Sequence, residues 1–255
     1  MCAVDAVAVD AVVLDTDGVL LATAARHAAA WKETFDGCLS RWNAPAERPR
    51  PFDAVREYRD LVDGRSRTDG VRAFLAARRI HLPPGAPGDP PGCGTVQAVA
   101  ARKEQIFSEM VRSEGVVVFA DVRPALQRLR EMGIACAAVS ASRHARSLLE
   151  SAGLVRFLDA VVDGRDADAL TLPGKPAPAL FLEAADRLGT GPERAAVVED
   201  ALVGVEAGRR GRFRLVVGID RDGDRRTAAA LHARGAHLVL PDLAALPAAL
   251  EGGRP

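Results

Sequence analysis

The sequence is poor in lysine, in aromatic residues and in long apolar runs, and it carries no excess charge. Lys plus Arg and Asp plus Glu both number 34, so no net charge favours nucleic acid or an anionic membrane as a partner. With 4% aromatic residues, a surface on which bases stack is not expected. No apolar run is long enough to span a membrane, and the amino terminus lacks the pattern of a secretory signal. We therefore expect a cytoplasmic protein with no nucleic-acid or membrane partner.

Cysteine is also scarce. The four cysteines, Cys2, Cys38, Cys93 and Cys136, lie far apart and have no paired spacing. This distribution argues against a zinc site and predicts reduced, unpaired thiols, as in a reducing compartment.

Only three of the 34 basic residues are lysine, namely Lys32, Lys103 and Lys175. Because arginine occupies the other basic positions, each lysine is a candidate for a place that needs a compact ammonium group and not a planar guanidinium. The alternative for any one of them is chance.

The sequence after Gly115 alternates short apolar runs with amphipathic segments of about ten residues, a pattern that indicates βαβ units and a parallel sheet. The apolar run that begins at Val12 has the same character and belongs to this sheet. We therefore predict an α/β fold with a Rossmann-like parallel sheet. The later predicted strands cover 134–139, 160–162, 195–198, 215–219 and 238–240.

Residues 22–115 form a block with helical periodicity and no strand signal. The predicted helices cover 23–42, 52–62, 69–80 and 95–113. The connecting loops are 43–51, a basic loop at 63–70, and a loop rich in proline and glycine at 82–92. We predict an inserted, all-helical cap domain at 22–115, and a core domain formed by 1–21 and 116–255. An insertion directly after the first strand would cover the end of that strand like a lid.

Two carboxylates one residue apart, Asp15 and Asp17, end the first strand, and Gly18 follows at once. The carboxyl ends of strands are where open α/β sheets hold their ligands. Gly18 indicates a turn that would bring the second carboxylate beside the first. One Asp can attack phosphorus while the other passes a proton to the leaving oxygen. The alternative is a strand end capped by solvated acids.

Ser140 and Lys175 follow later strands. Ser140 and the backbone N–H of Ala141 could hold phosphate oxygens, although serine is also a common helix cap. Lys175 stands in a proline-rich loop at a helix start and could neutralise a phosphoryl group. The alternative is a solvated loop charge. No glycine-rich nucleotide loop precedes it.

Adjacent acids, Glu199 and Asp200, end a further strand. With Asp15 they would make an oxygen-rich site suited to Mg²⁺. The alternative is a pair of acids that caps the next helix. Each signal is weak alone, but the four fall on four strand ends of one predicted sheet.

The order of these segments resembles the haloacid dehalogenase superfamily of phosphotransferases over nearly the whole chain. The four matching motifs begin at Asp15, Ser140, Lys175 and Glu199. The resemblance implies Mg²⁺, a phosphorylated Asp15 nucleophile, and Asp17 as general acid and base. It also implies phosphate binding by Ser140 and Lys175. The implied metal ligands are Asp15, the carbonyl of Asp17, Glu199 and Asp200.

The helical block is most similar to the β-phosphoglucomutase branch of this superfamily. Thr23 and His27 match the hinge and first cap helix, Arg67 matches a loop that holds the second phosphate of the sugar, and Lys103 matches a cap lysine. The alternative for Arg67 and Lys103 is exposed surface charge. The sequence departs from the family at Ala22 and Ala179, where relatives often carry acids.

The resemblance implies conversion of β-glucose 1-phosphate to glucose 6-phosphate, and we expect a monomer whose partner is a small sugar phosphate. His27 would orient Asp17 when the cap closes. One alternative is a sugar-phosphate phosphatase with water as the second acceptor. The other is an idle binding module, which predicts loss of Asp15 or Asp17, and both are present.

Overall fold

A computed structural model describes residues 9–42 and 50–251, and the chain divides into two compact units. The α/β unit comprises the described residues up to Ala22 and from Val117 onward, and the helical unit comprises Thr23–Val116. The predicted junctions at 21/22 and 115/116 each differ from this division by one residue. Cys2 and most of the predicted loop at 43–51 lie outside the described residues.

Six parallel strands form the sheet of the α/β unit, and all six lie where the apolar runs predict them. They are β1 (Ala11–Asp15), β2 (Ala135–Val139), β3 (Ala160–Val162), β4 (Ala195–Glu199), β5 (Leu215–Ile219) and β6 (Leu238–Leu240). Strands β1, β4 and β5 are buried along their whole length. Such strands have no alternation of polar and apolar residues because neither face of a parallel sheet meets water.

The strand order is β3-β2-β1-β4-β5-β6, which confirms the predicted Rossmann-like fold. Strands β2 and β3 are added on one side of β1, and β4, β5 and β6 are added on the other side. The order of the strands therefore reverses between β1 and β4. Leu14 of β1 pairs with Val198 of β4, so Asp15 and Glu199 end neighbouring strands at the same level. This switch point is where open α/β sheets bind ligands.

Ten α-helices occur in the described residues. The helical unit contains α1 (Ala24–Trp42), α2 (Arg67–Ala77) and α3 (Val96–Glu114). The α/β unit contains α4 (Val122–Glu131), α5 (Ala145–Ser151), α6 (Gly164–Ala169), α7 (Ala179–Arg187), α8 (Leu202–Arg210), α9 (Arg225–Arg234) and α10 (Leu246–Glu251). None of these helices combines the length and the apolar character that a membrane span requires.

Two predicted segments of the helical unit need correction. The helix predicted at 52–62 is a π-helix at Tyr58–Val62, because the Asp53 carboxylate accepts the N–H groups of Val55 and Arg56 and forms a turn first. The helix predicted at 69–80 starts earlier, at Arg67. Ser66 caps it by accepting the Asp69 N–H, so the predicted basic loop ends at that serine.

Aromatic side chains form the centre of the helical unit. Phe35 of α1 stacks on Phe74 of α2, with ring centroids 3.8 Å apart, and lies 5.0 Å from Trp31 and 5.2 Å from Phe52. All four side chains are buried. The apolar residues at helical spacing on α1 therefore mark the core face of that helix.

Cys38 and Cys93 form a disulfide, so the prediction of unpaired thiols is wrong for these two residues. Cys38 lies on α1 and Cys93 precedes α3, and their Cα atoms are 5.4 Å apart. The Trp42 indole N–H donates to the Cys93 carbonyl at 2.8 Å and holds the same two segments together. Because the pair is 55 residues apart in sequence, spacing alone could not reveal it. Cys136 is a buried free thiol, and burial raises its pKa to about 12.

We expect reduction of this disulfide to destabilise the helical unit. Closing a loop of 55 residues restricts the unfolded chain by about 4 kcal/mol. Dithiothreitol should therefore lower the melting temperature of the protein, while the variant Cys38→Ala/Cys93→Ala should melt lower and not respond to the reductant. Equal melting of the oxidised and reduced wild-type protein would contradict the expectation.

Candidate active site

Asp15 and Asp17 are placed by a tight turn at the end of β1. The Thr16 hydroxyl donates to the Val139 carbonyl of β2 at 3.0 Å, and the Asp17 N–H donates to the Asp15 carboxylate at 2.9 Å. The Thr16 carbonyl accepts the N–H groups of Leu20 and Leu21, which closes the turn. Asp15 is thus buried in the sheet while Asp17 stands half-buried just beyond it.

Gly18 makes the predicted turn possible. Its φ is +86°, and its N–H donates to the Leu21 carbonyl at 2.8 Å. A Cβ at this position would overlap the Asp200 carboxylate, which packs directly on the Gly18 backbone. The turn after β1 and the residue after β4 therefore fit together only because residue 18 has no side chain.

Gly18→Ala is expected to reduce turnover about tenfold or more, because displacing Asp200 and the turn moves reactive groups out of position. Gly133→Ala is the matched control, since Gly133 has φ +72° and nothing lies within 4 Å of its Cβ position. Both variants should lose about 1 kcal/mol of stability from the positive φ. Steady-state activity and thermal melting of the two variants separate the effects, and equal activity would refute the role given to Gly18.

Lys175 joins the two central strands. Its Nζ donates to the carboxylates of Asp15 and Glu199, at 2.6 Å for Glu199, and lies 4.7 Å from the centre of the Phe181 ring. The lysine is only 2% exposed. The solvated-charge alternative is therefore wrong for Lys175, because its ammonium group is fully enclosed.

Burial dominates the electrostatics of Asp15 and raises the pKa of this carboxyl well above its usual value. The neighbouring charges of Glu199 and Asp17 raise that pKa further, whereas Lys175 opposes the shift. Burial alone would lower the pKa of Lys175, but Asp15 and Glu199 hold it above its ordinary value. The lysine is thus a fixed positive charge beside Asp15.

Ser140 follows β2 and contacts the second carboxylate. Its hydroxyl donates to Asp17 Oδ2 at 3.0 Å and accepts the Ser142 N–H at 3.0 Å. Backbone atoms at Ala141 and Ser142 also lie against Gly164, where a side chain would not fit. Ser140 therefore makes a turn of its own and is not a cap of α5, whose N-cap is His144.

Glu199 and Asp200 have different surroundings. Glu199 is fully buried, and its second oxygen accepts the Ala201 N–H at 2.5 Å just before α8. Ala201 is the N-cap of α8, and no side chain caps this helix, so the helix-capping alternative is wrong for Glu199. The same carboxylate also binds Lys175. Asp200 packs on Gly18. The two adjacent acids thus connect β4 to the lysine and to the β1 turn.

The chemistry of these donors fits a hard divalent cation. Four carboxylates, those of Asp15, Asp17, Glu199 and Asp200, follow the neighbouring strands β1 and β4, and only Asp15 and Glu199 pair with the Lys175 ammonium group. Mg²⁺ prefers oxygen ligands and would balance the excess negative charge. Within residues 9–42 and 50–251, however, no three His, Cys, Asp or Glu side chains are grouped closely enough to hold an ion. Lys175 binds one oxygen of each of Asp15 and Glu199.

Two of the predicted residues of the helical unit contact each other. Lys103 Nζ lies 2.8 Å from Nδ1 of His27, whose ring stacks on Phe107 with centroids 4.0 Å apart. The Lys103 ammonium also lies over the rings of Phe107 and Trp31, and the residue is 3% exposed. The alternative of an exposed surface charge is therefore wrong for Lys103. The Thr23 carbonyl accepts the N–H of His27 at 2.9 Å.

Arg67 is the first residue of α2 and forms an ion pair with Glu104, the residue after Lys103 on α3. Both side chains are about one-quarter exposed, at 25% for Arg67 and 22% for Glu104. The predicted pair of Arg67 and Lys103 thus lies on adjoining parts of α2 and α3. Any anion that Arg67 binds must share this arginine with a carboxylate.

Comparison with known proteins decides the family. A sequence model described as haloacid dehalogenase-like hydrolase matches residues 9–212, which is most of the chain. This chain belongs to the haloacid dehalogenase-like hydrolase family. The four motifs predicted from the sequence as markers of this family begin at Asp15, Ser140, Lys175 and Glu199, and all lie inside the matched range.

Relatives within the family support a finer grouping. The chain is 44% identical over 239 residues to a protein named beta-phosphoglucomutase from Mycobacterium bovis, covering 93% of this chain and 91% of the relative. A crystal structure titled beta-phosphoglucomutase from Clostridium difficile shares the fold, with a TM-score of 0.73, 20% identity and coverage of 96% and 97%. A HAD family hydrolase from Deinococcus radiodurans, solved with bound phosphate and sodium, is 30% identical, with a TM-score of 0.66 and 98% coverage of both chains.

One polar residue beside the turn of this family's first motif was missed by the sequence analysis. Arg221 stands two residues after β5 and donates to the carbonyls of Gly18 and Val19. The signal was available, since β5 is a fifth strand that ends in polar residues at the same edge of the sheet. Arginine is so frequent in this chain that a single one did not stand out.

Proposed function

We propose that this protein is a β-phosphoglucomutase, which converts β-glucose 1-phosphate to glucose 6-phosphate through glucose 1,6-bisphosphate. The observation that carries the proposal is the buried cluster of Asp15, Lys175 and Glu199 at the switch point of the sheet. The same chain is 44% identical to a relative that bears this name. The cluster supports phosphoryl transfer, and the relative supports the choice of a sugar phosphate.

Asp15 is the proposed nucleophile. One carboxylate oxygen forms a bond to phosphorus as the bond from phosphorus to the sugar oxygen breaks, which gives an aspartyl phosphate. Lys175 opposes the rise in the pKa of the buried Asp15 carboxyl and would offset charge on the phosphoryl oxygens as they pass.

Asp17 is the proposed general acid and base. It gives a proton to the departing sugar oxygen and later takes the proton of the hydroxyl that attacks the aspartyl phosphate, so it returns to its first state. Its half-buried position next to Asp15 suits this double role, because it can meet both the phosphoryl group and the sugar.

The remaining residues of the α/β unit have proposed binding roles. Ser140, the Ala141 N–H and Lys175 would hold the transferring phosphoryl group. Mg²⁺ would be held by Asp15, the Asp17 carbonyl, Glu199 and Asp200, and when bound it would neutralise charge on the phosphoryl oxygens.

The helical unit is proposed to select the substrate. A mutase must hold both phosphates of a bisphosphate, whereas a simple phosphatase needs to hold only one. Arg67 and Lys103 would bind the second phosphate, and Thr23 and His27 would serve the hinge and orient Asp17. The proposed protein is a monomer that acts on a small sugar phosphate.

The test follows glucose 6-phosphate and free phosphate together. Purified protein would receive β-glucose 1-phosphate, Mg²⁺ and a trace of glucose 1,6-bisphosphate. We expect glucose 6-phosphate with little free phosphate. Rapid phosphate release without the isomer would overturn the mutase and leave a phosphatase, with water as the second acceptor.

Arg67→Ala should lower mutase turnover about tenfold to a hundredfold, since a charged hydrogen bond to phosphate contributes about 1.5–3 kcal/mol. Hydrolysis of a small phosphate ester, which has no second phosphate, should change little. Arg72→Ala is the control, because Arg72 lies on the same helix and pairs with Asp69 in solvent. An equal loss in mutase turnover and ester hydrolysis would contradict the role of Arg67.

A further inference from the structure

The turn that follows Asp17 is bound by an arginine from another strand end, Arg221. Arg221, two residues past β5, donates from Nε to the Gly18 carbonyl at 3.0 Å and from Nη2 to the Val19 carbonyl at 2.8 Å. Strand β4 lies between β1 and β5 in the sheet. The arginine therefore reaches across a whole strand to bind the loop that carries Asp17.

The guanidinium group is itself fixed on its other sides. Asp121, which precedes α4, accepts Nη1 at 3.0 Å and Nη2 at 3.1 Å, and it also accepts the Leu243 N–H at 2.8 Å. The Phe119 ring lies against the guanidinium, with its centre 3.6 Å from Cζ. The side chains of Arg221 and Asp121 are 20% and 14% exposed. Burial would raise the pKa of Asp121, but the hydrogen bonds from Arg221 lower it, so this carboxylate keeps its charge.

Only arginine can make this set of contacts. Nε and the two terminal nitrogens of Arg221 donate to two carbonyls and to both oxygens of one carboxylate, while the flat face of the guanidinium lies over the Phe119 ring. A lysine ammonium has neither the fork nor the flat face. Asp200 meets the same turn at Gly18, so the loop is held both by β4 and by β5.

We propose that Arg221 is a positioning residue for phosphoryl transfer, which Asp121 and Phe119 orient and which acts by fixing the Gly18–Val19 backbone and so the Asp17 carboxylate. This role rests on the function proposed above for Asp17. We call Arg221, Asp121 and Phe119 the clamp. The clamp serves the accuracy of proton transfer to the leaving oxygen and does not bind substrate.

Leaving-group chemistry distinguishes positioning from simple support of the fold. A sugar oxygen needs a proton from Asp17 as it departs, whereas 4-nitrophenolate departs without one. First-turnover rates for phosphorylation of Asp15 in Arg221→Lys should fall about tenfold to a hundredfold with glucose 1,6-bisphosphate and less than about threefold with 4-nitrophenyl phosphate, with KM nearly unchanged. Equal losses with both substrates, or no loss with either, would overturn the proposal.

Two further variants complete the test. Asp121→Asn keeps the shape of the clamp but loses its charge, and it should show the same selective loss to a smaller degree, even if Arg221→Lys fails to fold. Arg187→Lys is the matched control, because Arg187 also joins a backbone carbonyl, that of Val161, to a carboxylate, that of Asp166. It should alter neither rate, and a selective loss in this control would also overturn the proposal.

The outcome is separable from that of the mutase assay. If wild-type protein released only phosphate from sugar phosphates, the mutase would fail. The comparison between sugar and aryl leaving groups would still report whether Arg221 positions Asp17, because both substrates phosphorylate Asp15 in the same first step.

Discussion

Asp15→Asn is expected to lower turnover by about 10⁴-fold or more while leaving the fold intact. The amide cannot attack phosphorus, so no aspartyl phosphate can form at residue 15. Stability should hold or rise, because Asn has nearly the same shape and burial disfavours the Asp15 charge that it removes. Its amide oxygen can still accept the Lys175 ammonium, which also keeps Glu199.

The measurement compares turnover and thermal melting of Asp15→Asn with those of Asp10→Asn. Asp10 lies directly before β1 and forms an exposed ion pair with Arg194. This control should keep wild-type activity, since it carries the same substitution away from the cluster. Substantial activity in freshly purified Asp15→Asn protein would refute Asp15 as the nucleophile.

Lys175→Met is expected to be the most destabilising single substitution at the site. Two buried carboxylates, Asp15 and Glu199, would lose their shared positive partner, and breaking a buried ion pair in this way costs about 3–5 kcal/mol. Turnover should also fall by orders of magnitude, because the variant loses the ammonium group that would offset charge on the phosphoryl group.

The pH dependence of the stability of Lys175→Met tests whether the loss of stability comes from buried carboxylates without their positive partner. Burial already raises the pKa of Asp15, and removal of Lys175 removes the charge that opposes this rise, so Asp15 in the folded variant binds a proton more tightly than in the unfolded chain. Stability must therefore fall as pH rises, so Lys175→Met should be closer to wild type at pH 5 than at pH 8. Denaturant unfolding with a chelator present measures this trend.

Lys32→Met is the control for Lys175→Met. Lys32 pairs with Asp36 in an exposed position, and its loss should cost only about 1 kcal/mol or less, with little pH trend. Equal losses of stability in the two variants would contradict the account of the buried cluster.

The fold was largely predictable because its strands are buried on both faces. Uninterrupted apolar runs such as those of β1 and β4 leave little doubt about strand position, and their polar ends mark the ligand-binding edge. Helix boundaries in the helical unit were less accurate. Short polar side chains at Asp53 and Ser66 decide where the backbone turns. In the sequence, Asp53 looked like part of a helix and Ser66 like an ordinary loop residue.

Site residues that follow strand ends could be predicted from the sequence. Contacts that depend on how distant segments pack together could not. The cluster of Asp15, Lys175 and Glu199 follows from strand order and charge. The Cys38–Cys93 disulfide and the contacts of Arg221 depend on which distant segments meet. Local sequence pattern does not show which distant segments pack together. It gave no sign of the disulfide, and for Arg221 it showed a polar residue at the ligand-binding edge but not the contacts of that residue.

The most direct test of the account is to find the phosphorylated residue. Protein mixed with glucose 1,6-bisphosphate and Mg²⁺ would be quenched in acid during turnover, digested and analysed by mass spectrometry. The account predicts one added phosphoryl group on the peptide that contains Asp15, at Asp15 itself, and none in Asp15→Asn. A phosphoryl group on another residue such as Ser140, or turnover with no phosphorylated peptide, would contradict covalent transfer through Asp15.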